Sequence, residues 1–180
     1  MEEQTIDQLG KNRPSSAKVA LTNGVFMGIA LIVLSLILYL LGLNRESYVP
    51  YLSYALMIVL TIVFVLQWRN KYNDGFISYS SAFGNGFLTI LFGAILSALY
   101  AYVFFAFIAP EELTFLLEKA ENDMYDRGMS EQEIEMGMKW TKMMVSEWML
   151  PLWVIIGSAF WGAIISAILA IFLKKEDKEF

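Results

Sequence analysis

The sequence holds no cysteine and no histidine among its 180 residues. Disulfides, thiol chemistry, Cys/His metal sites and every imidazole-based catalytic arrangement are thereby excluded. Charge is sparse too: 17% of residues are charged, against about a quarter in an ordinary soluble domain. No basic patch suits a nucleic acid, and neither a G-x-S-x-G nor a Walker loop is present. No catalytic site, no metal site, no cofactor and no nucleic-acid partner are therefore expected. Apolar residues fill the space that charge leaves: 57% of the chain is hydrophobic and 15% aromatic. That balance is the mark of a chain whose main partner is membrane lipid.

The apolar residues fall into four runs, expected to span a membrane at 19–43, 51–68, 82–109 and 149–173. The third, Ala82 to Ala109, has no charged residue at all. As a helix it would reach roughly 42 Å, enough to cross a bilayer with length to spare. Its small residues Ala82, Gly86, Gly93, Ser97 and Ala101 fall on one side, with Ala94 and Ala98 in the adjacent row. The fourth run repeats the device with Ser158, Gly162, Ser166 and Ala170 beside Ala159, Ala163 and Ala167. Small residues let helix backbones approach closely in lipid, so Gly86, Gly93 and Ser97 are expected to pack against Ser158, Gly162 and Ser166, more closely than any other pair of spans. The first run carries a Gly24-x-x-x-Gly28 pair, a weaker signal because glycine is common in membrane helices. The second is poor in small residues, and is expected to face mostly lipid. Tyr48, Tyr51 and Tyr54 at one end and Trp68 at the other mark its interfacial belts.

Polar stretches separate the runs. Residues 1–18 read as a flexible tail with Lys11, Arg13 and Lys18 near its end, and 174–180 as a short charged tail. A turn at Asn73-Asp74-Gly75 leads into 76–83, where Phe76, Tyr79 and Phe83 suggest a segment lying flat at the interface. Between Pro110 and Trp148 ten acidic residues face four basic ones. Leu113, Leu116, Leu117, Ala120 and Met124 share one helical face, and Gly128 ends that helix. A second helix starts at Ser130, where SEQE is a capping box, and presents Ile134, Met138, Thr141, Val145 and Trp148. The fold expected is all-α: four transmembrane helices with an extracytoplasmic helical hairpin at 110–148.

Four spans put both termini on one side. That side carries eight Lys and Arg residues and the other five, which places the termini in the cytoplasm. At the inner ends of spans one and three, Asn23, Ser81 and Asn85 would gather into a polar mouth. The simpler expectation is that such groups hydrogen-bond between helices, because none of them is ionisable. Seven of the ten methionines lie between Met124 and Met149. Thioethers suit Cu(I), but with no His or Cys beside them they fit a pliable contact surface better. Residues 121–128 depart from the spacing of a calcium loop.

DGFISYSSAFGNGF at the start of span three, the RGMSEQEIE turn and the small-rich fourth span ending in a lysine pair together resemble domain of unknown function family 4199. This is a family of four-span membrane proteins of Bacteroidetes-type bacteria. The resemblance implies an integral inner-membrane protein of this topology and assigns no activity. The expected function is a non-enzymatic accessory or scaffold role, with a protein partner docked at Glu131, Glu133, Glu135, Met138 and Met143. The alternative is a small transporter or channel, formed as a homo-oligomer through the small-residue faces.

Overall fold

The computed structural model describes residues 14–175. Most of the expected N-terminal tail, with Lys11 and Arg13, and the C-terminal tail after Lys175 lie outside the described residues. Among the described residues there are six helices and one isolated antiparallel bridge. The helices are α1 (Ser16–Leu40), α2 (Val49–Tyr72), α3 (Tyr79–Val103, continuing as a π-helical turn over Phe104–Ile108), α4 (Glu111–Asp126), α5 (Glu131–Met144) and α6 (Met149–Leu173). Four of them, α1, α2, α3 with its π turn, and α6, are long and apolar enough to cross a membrane.

The boundaries follow local chemistry. α1 begins three residues before the expected Val19, because the Ser15 hydroxyl accepts the Lys18 N–H at 3.3 Å and caps the helix. α3 begins at Tyr79 in place of Ala82, after the Ser81 N–H donates to the Ser78 hydroxyl at 3.3 Å. Residues 76–83 are therefore not one interfacial segment. Ile77 is extended, 4% exposed, and bridged to Lys175 through N–H···O bonds of 2.8 and 2.9 Å. At the far end of α3 the Ala109 N–H reaches back to the Phe104 carbonyl at 2.8 Å, which widens the last turn. Ala109 itself leaves helical geometry (φ −142, ψ 63) because Pro110 disfavours it in the preceding residue.

The chain forms two compact units, one through Ala94 together with the residues from Ser158, the other Ile95–Gly157. The first contains α1, α2, the first part of α3 and most of α6. One apolar cluster joins Met27, Met57 and Ile90, with Leu31, Leu60, Phe64 and Ile165 against it. A second joins Val65, Ile77, Ala82, Ala170 and Leu173. At this end the Arg69 guanidinium donates to the Leu173 carbonyl at 3.1 Å, and the Lys175 ammonium stands 5.2 Å from the centre of the Phe76 ring. An arginine thus satisfies one of the orphan carbonyls at the end of α6. The buried threonines are satisfied locally: Thr61 donates to the Met57 carbonyl at 2.7 Å and Thr89 to that of Asn85 at 2.8 Å.

The second unit contains the end of α3, the α4–α5 pair and the start of α6. Gly128, at φ +72, ends α4 with bonds from its own N–H to the Tyr125 carbonyl and from the Met129 N–H to that of Met124. A residue with a Cβ is strained in that left-handed geometry. α5 then turns back so that Gly137 stands close to the Met124 thioether, 3.0 Å from where a Cβ at Gly137 would sit.

Candidate functional site

The small residues of α3 are divided among three neighbours. A Cβ at Gly86 would lie 3.2 Å from the Ser166 hydroxyl of α6 and 3.3 Å from a Thr61 methyl of α2. Gly162 of α6 receives the Ile90 side chain, 2.7 Å from where its Cβ would be. Gly93 instead faces α1, where a Cβ would meet the Gly24 carbonyl at 3.2 Å and the Gly28 N–H at 3.5 Å. Ser97 and Ser158 are half-buried. At the glycines the closest backbone-to-backbone approach is therefore between α1 and α3, and the α3–α6 contact runs through side chains. The Gly24-x-x-x-Gly28 pair, read as the weaker signal, forms that tighter seam.

The seam also fixes a register. Asn85 Nδ2 donates to the Ser16 carbonyl and hydroxyl at 3.3 and 3.2 Å, and Gly93 meets Gly24 at the same 69-residue offset. α1 and α3 are thus parallel, with Asn85 level with Ser16. Asn23 lies two turns further on, roughly 10 Å along the axis. The polar mouth expected from Asn23, Ser81 and Asn85 is therefore not assembled. Ser81 is exposed and bonded to Ser78, while Asn85 is fully buried and Asn23 nearly so. Four buried polar atoms of this unit, Asn23 Nδ2, Trp68 Nε1, Asn85 Oδ1 and Ser166 Oγ, have no hydrogen-bond partner among the described residues.

In the α4–α5 pair, the residues expected to dock a partner have different roles. Met138 is 8% exposed and Ile134 3%, so both belong to the packing of the pair. The Ser130 N–H and hydroxyl both donate to one Glu133 carboxylate oxygen, at 2.8 and 2.7 Å, which commits Glu133 to the helix start. Glu135 pairs with Lys139 at 3.1 Å on the exposed surface. Glu131 and Met143 are exposed. Trp148 is not on the α5 face at all: α5 ends at Met144, and the Trp148 ring lies 4.7 Å from that of Tyr102. An open cleft of about 380 Å³ runs beside α5, with Glu121, Glu131, Glu135, Lys139 and Lys142 around it and Ile134 and Met138 beneath. The seven methionines do not converge, since Met138 is buried whereas Met136 and Met143 are exposed on the opposite side of α5.

Glu133 titrates below the ordinary carboxylate range, held there first by the Ser130 backbone N–H and then by the Ser130 hydroxyl. A carboxyl depressed by folding stabilises the folded form above its unfolded pKa, and that contribution is lost as pH falls through the folded value. The first turn of α5 should therefore fray on acidification below the carboxylate range, seen in backbone chemical shifts of residues 130–134. Glu133→Gln should abolish that pH response. Shifts that ignore pH in the parent protein would contradict the assignment.

Four apolar helices, two glycine seams and a polar helix pair define a multi-pass membrane protein. The chain belongs to the family described as protein of unknown function, DUF4199, whose pattern matches residues 22–175. No curated protein and no solved structure matches it.

Proposed function

We propose that this is a non-enzymatic accessory or scaffold protein of a bacterial cytoplasmic membrane, with both termini in the cytoplasm and the α4–α5 pair on the opposite side. The pair docks a partner protein. The observation that carries this reading is the cleft beside α5, where three carboxylates and two lysines surround an apolar floor of Ile134 and Met138. With ten acidic residues against four basic ones between Pro110 and Trp148, the partner it suits offers a basic segment carrying one apolar anchor. Met138 then acts from beneath the cleft, and Glu131 with Glu135 supplies the charge. Native mass spectrometry of protein gently extracted from its own membranes should show a heteromer. Reversing Glu131 and Glu135 to lysine should release the partner without lowering the melting temperature. A bare monomer in the parent sample, or a heteromer indifferent to the reversals, overturns the reading.

A second reading, a small oligomeric transporter or channel, rests on Asn23 Nδ2, Asn85 Oδ1 and Ser166 Oγ, which have no hydrogen-bond partner among the described residues. Unpaired polar groups buried in a membrane bundle are where a solute would be met if the bundle opens. This reading requires that Asn85→Leu abolish flux in reconstituted vesicles, and it fails if the parent protein carries no solute.

A further inference from the structure

α5 has two apolar faces, and among the described residues only one of them is covered. Ile134 and Met138 are buried. Met136, Trp140 and Met143, spaced at i, i+4 and i+7, form a stripe on the other side and are 65%, 62% and 49% exposed. Three large apolar side chains in one exposed row mark a surface that is covered in use.

We propose that this stripe is embedded in the headgroup–acyl boundary of the same membrane that α3 and α6 span, so that α5 lies along the bilayer as an interfacial helix. The proposal concerns a different side of α5 from the cleft and does not depend on the proposed partner.

The chain's own reach supports it. Five residues lie between Met143 and Met149, the first residue of α6, so even full extension holds the stripe within roughly 20 Å of the start of that span. Exposed aromatic residues suited to the same depth stand at the end of α3 and just before α6. Trp148 and Phe107 are 67% and 72% exposed, and the Trp148 ring rests on Tyr102 of α3. Trp140 has the chemistry of that belt, an apolar body with one polar edge. Lys139, four residues before Met143, borders the stripe, and its long stem lets its charge stay in water. Of the α5 carboxylates, Glu133 is drawn back to Ser130 and Glu135 to Lys139, which lowers the cost of bringing this helix to a lipid surface.

Because the natural chain has no cysteine, one introduced cysteine places a spin label at a single site. Met136→Cys and Met143→Cys, each in the full-length protein in phosphatidylcholine–phosphatidylglycerol vesicles, would report on the stripe, with Glu131→Cys as reference. Electron paramagnetic resonance power saturation compares collisions with oxygen, which concentrates in lipid, and with a water-soluble nickel complex. The expected result is a several-fold excess of oxygen over nickel collisions at 136 and 143, reversed at 131. Free access of the nickel complex at both stripe positions overturns the proposal by placing the stripe in water. Shielding from both reagents also overturns it, by placing the stripe against protein. Two label sites keep the test decisive if one variant fails to fold.

Discussion

Gly24→Ala should destabilise the protein by about 1–3 kcal/mol, the usual cost of forcing one methyl into a packed interior. The added Cβ would stand 2.8 Å from the Thr89 carbonyl oxygen and 3.1 Å from the Gly93 nitrogen, as well as 2.5 Å from the Phe92 Cβ. Two of those three atoms are backbone, so no rotamer change relieves the clash, and α1 must move off α3. The movement also stretches the Asn85–Ser16 hydrogen bonds that set the register. Gly84→Ala is the matching control, because nothing lies within 4 Å of its Cβ. It should be neutral or slightly stabilising through helix propensity. Gly162→Ala is the informative intermediate case. The three atoms nearest its Cβ would all belong to the Ile90 side chain, the first at 2.7 Å, so Ile90→Val should recover part of the loss. Thermal denaturation of the detergent-solubilised variants ranks all three, and equal melting temperatures for Gly24→Ala and Gly84→Ala would refute the seam.

Ile77→Ala should cost about 2–4 kcal/mol, a full truncation of a buried aliphatic side chain. Ile77 is 4% exposed and packs in one cluster with Val65, Ala82, Ala170 and Leu173. Its backbone bridges Lys175 in both directions. The effect should therefore reach both segments, lowering the melting temperature and speeding proteolysis after Lys174 and Lys175. Phe76→Ala, which touches the same bridge only through the exposed Lys175 ammonium, should be much milder. Equal effects from the two would show that the Ile77 side chain is not the anchor.

Much of this architecture was legible in the sequence, because it depends on counts that local chemistry does not disturb. Four uncharged runs of sufficient length give four long apolar helices, and Gly128 and Ser130 marked the turn between α4 and α5 by their backbone preferences alone. Register was not legible. Hydropathy says that α1 and α3 each cross a membrane, but the level at which they meet is set by where glycines admit the other backbone, and Gly24 with Gly93 set Asn85 beside Ser16. That shift of two turns separates Asn23 from Asn85 and removes the expected polar mouth. The bridge at Ile77 was hidden for a different reason. A two-residue pairing across about half the chain leaves no periodicity, and Phe76, Tyr79 and Phe83 imitated an amphipathic helix. The exposed row on α5 could have been found, since Met136, Trp140 and Met143 have helical spacing. The competing row that includes Met138 satisfied the same pattern, and sequence alone does not say which row α4 covers.

The bridge between Ile77 and Lys175 also bears on how the protein is made. A ribosome that has just completed Ile77 has about a hundred residues still to add before Lys175 emerges, roughly 5–20 s at ordinary elongation rates. Throughout that interval Ala170 and Leu173, which enclose the Ile77 side chain, do not yet exist, and its backbone lacks the partner it holds in the finished fold. The start of the third apolar helix is thus an unfinished surface during synthesis, closed only when the last helix has been inserted. Chains stalled or clipped before residue 170 would keep that surface open, presenting membrane quality control with a visible difference between an incomplete protein and a complete one.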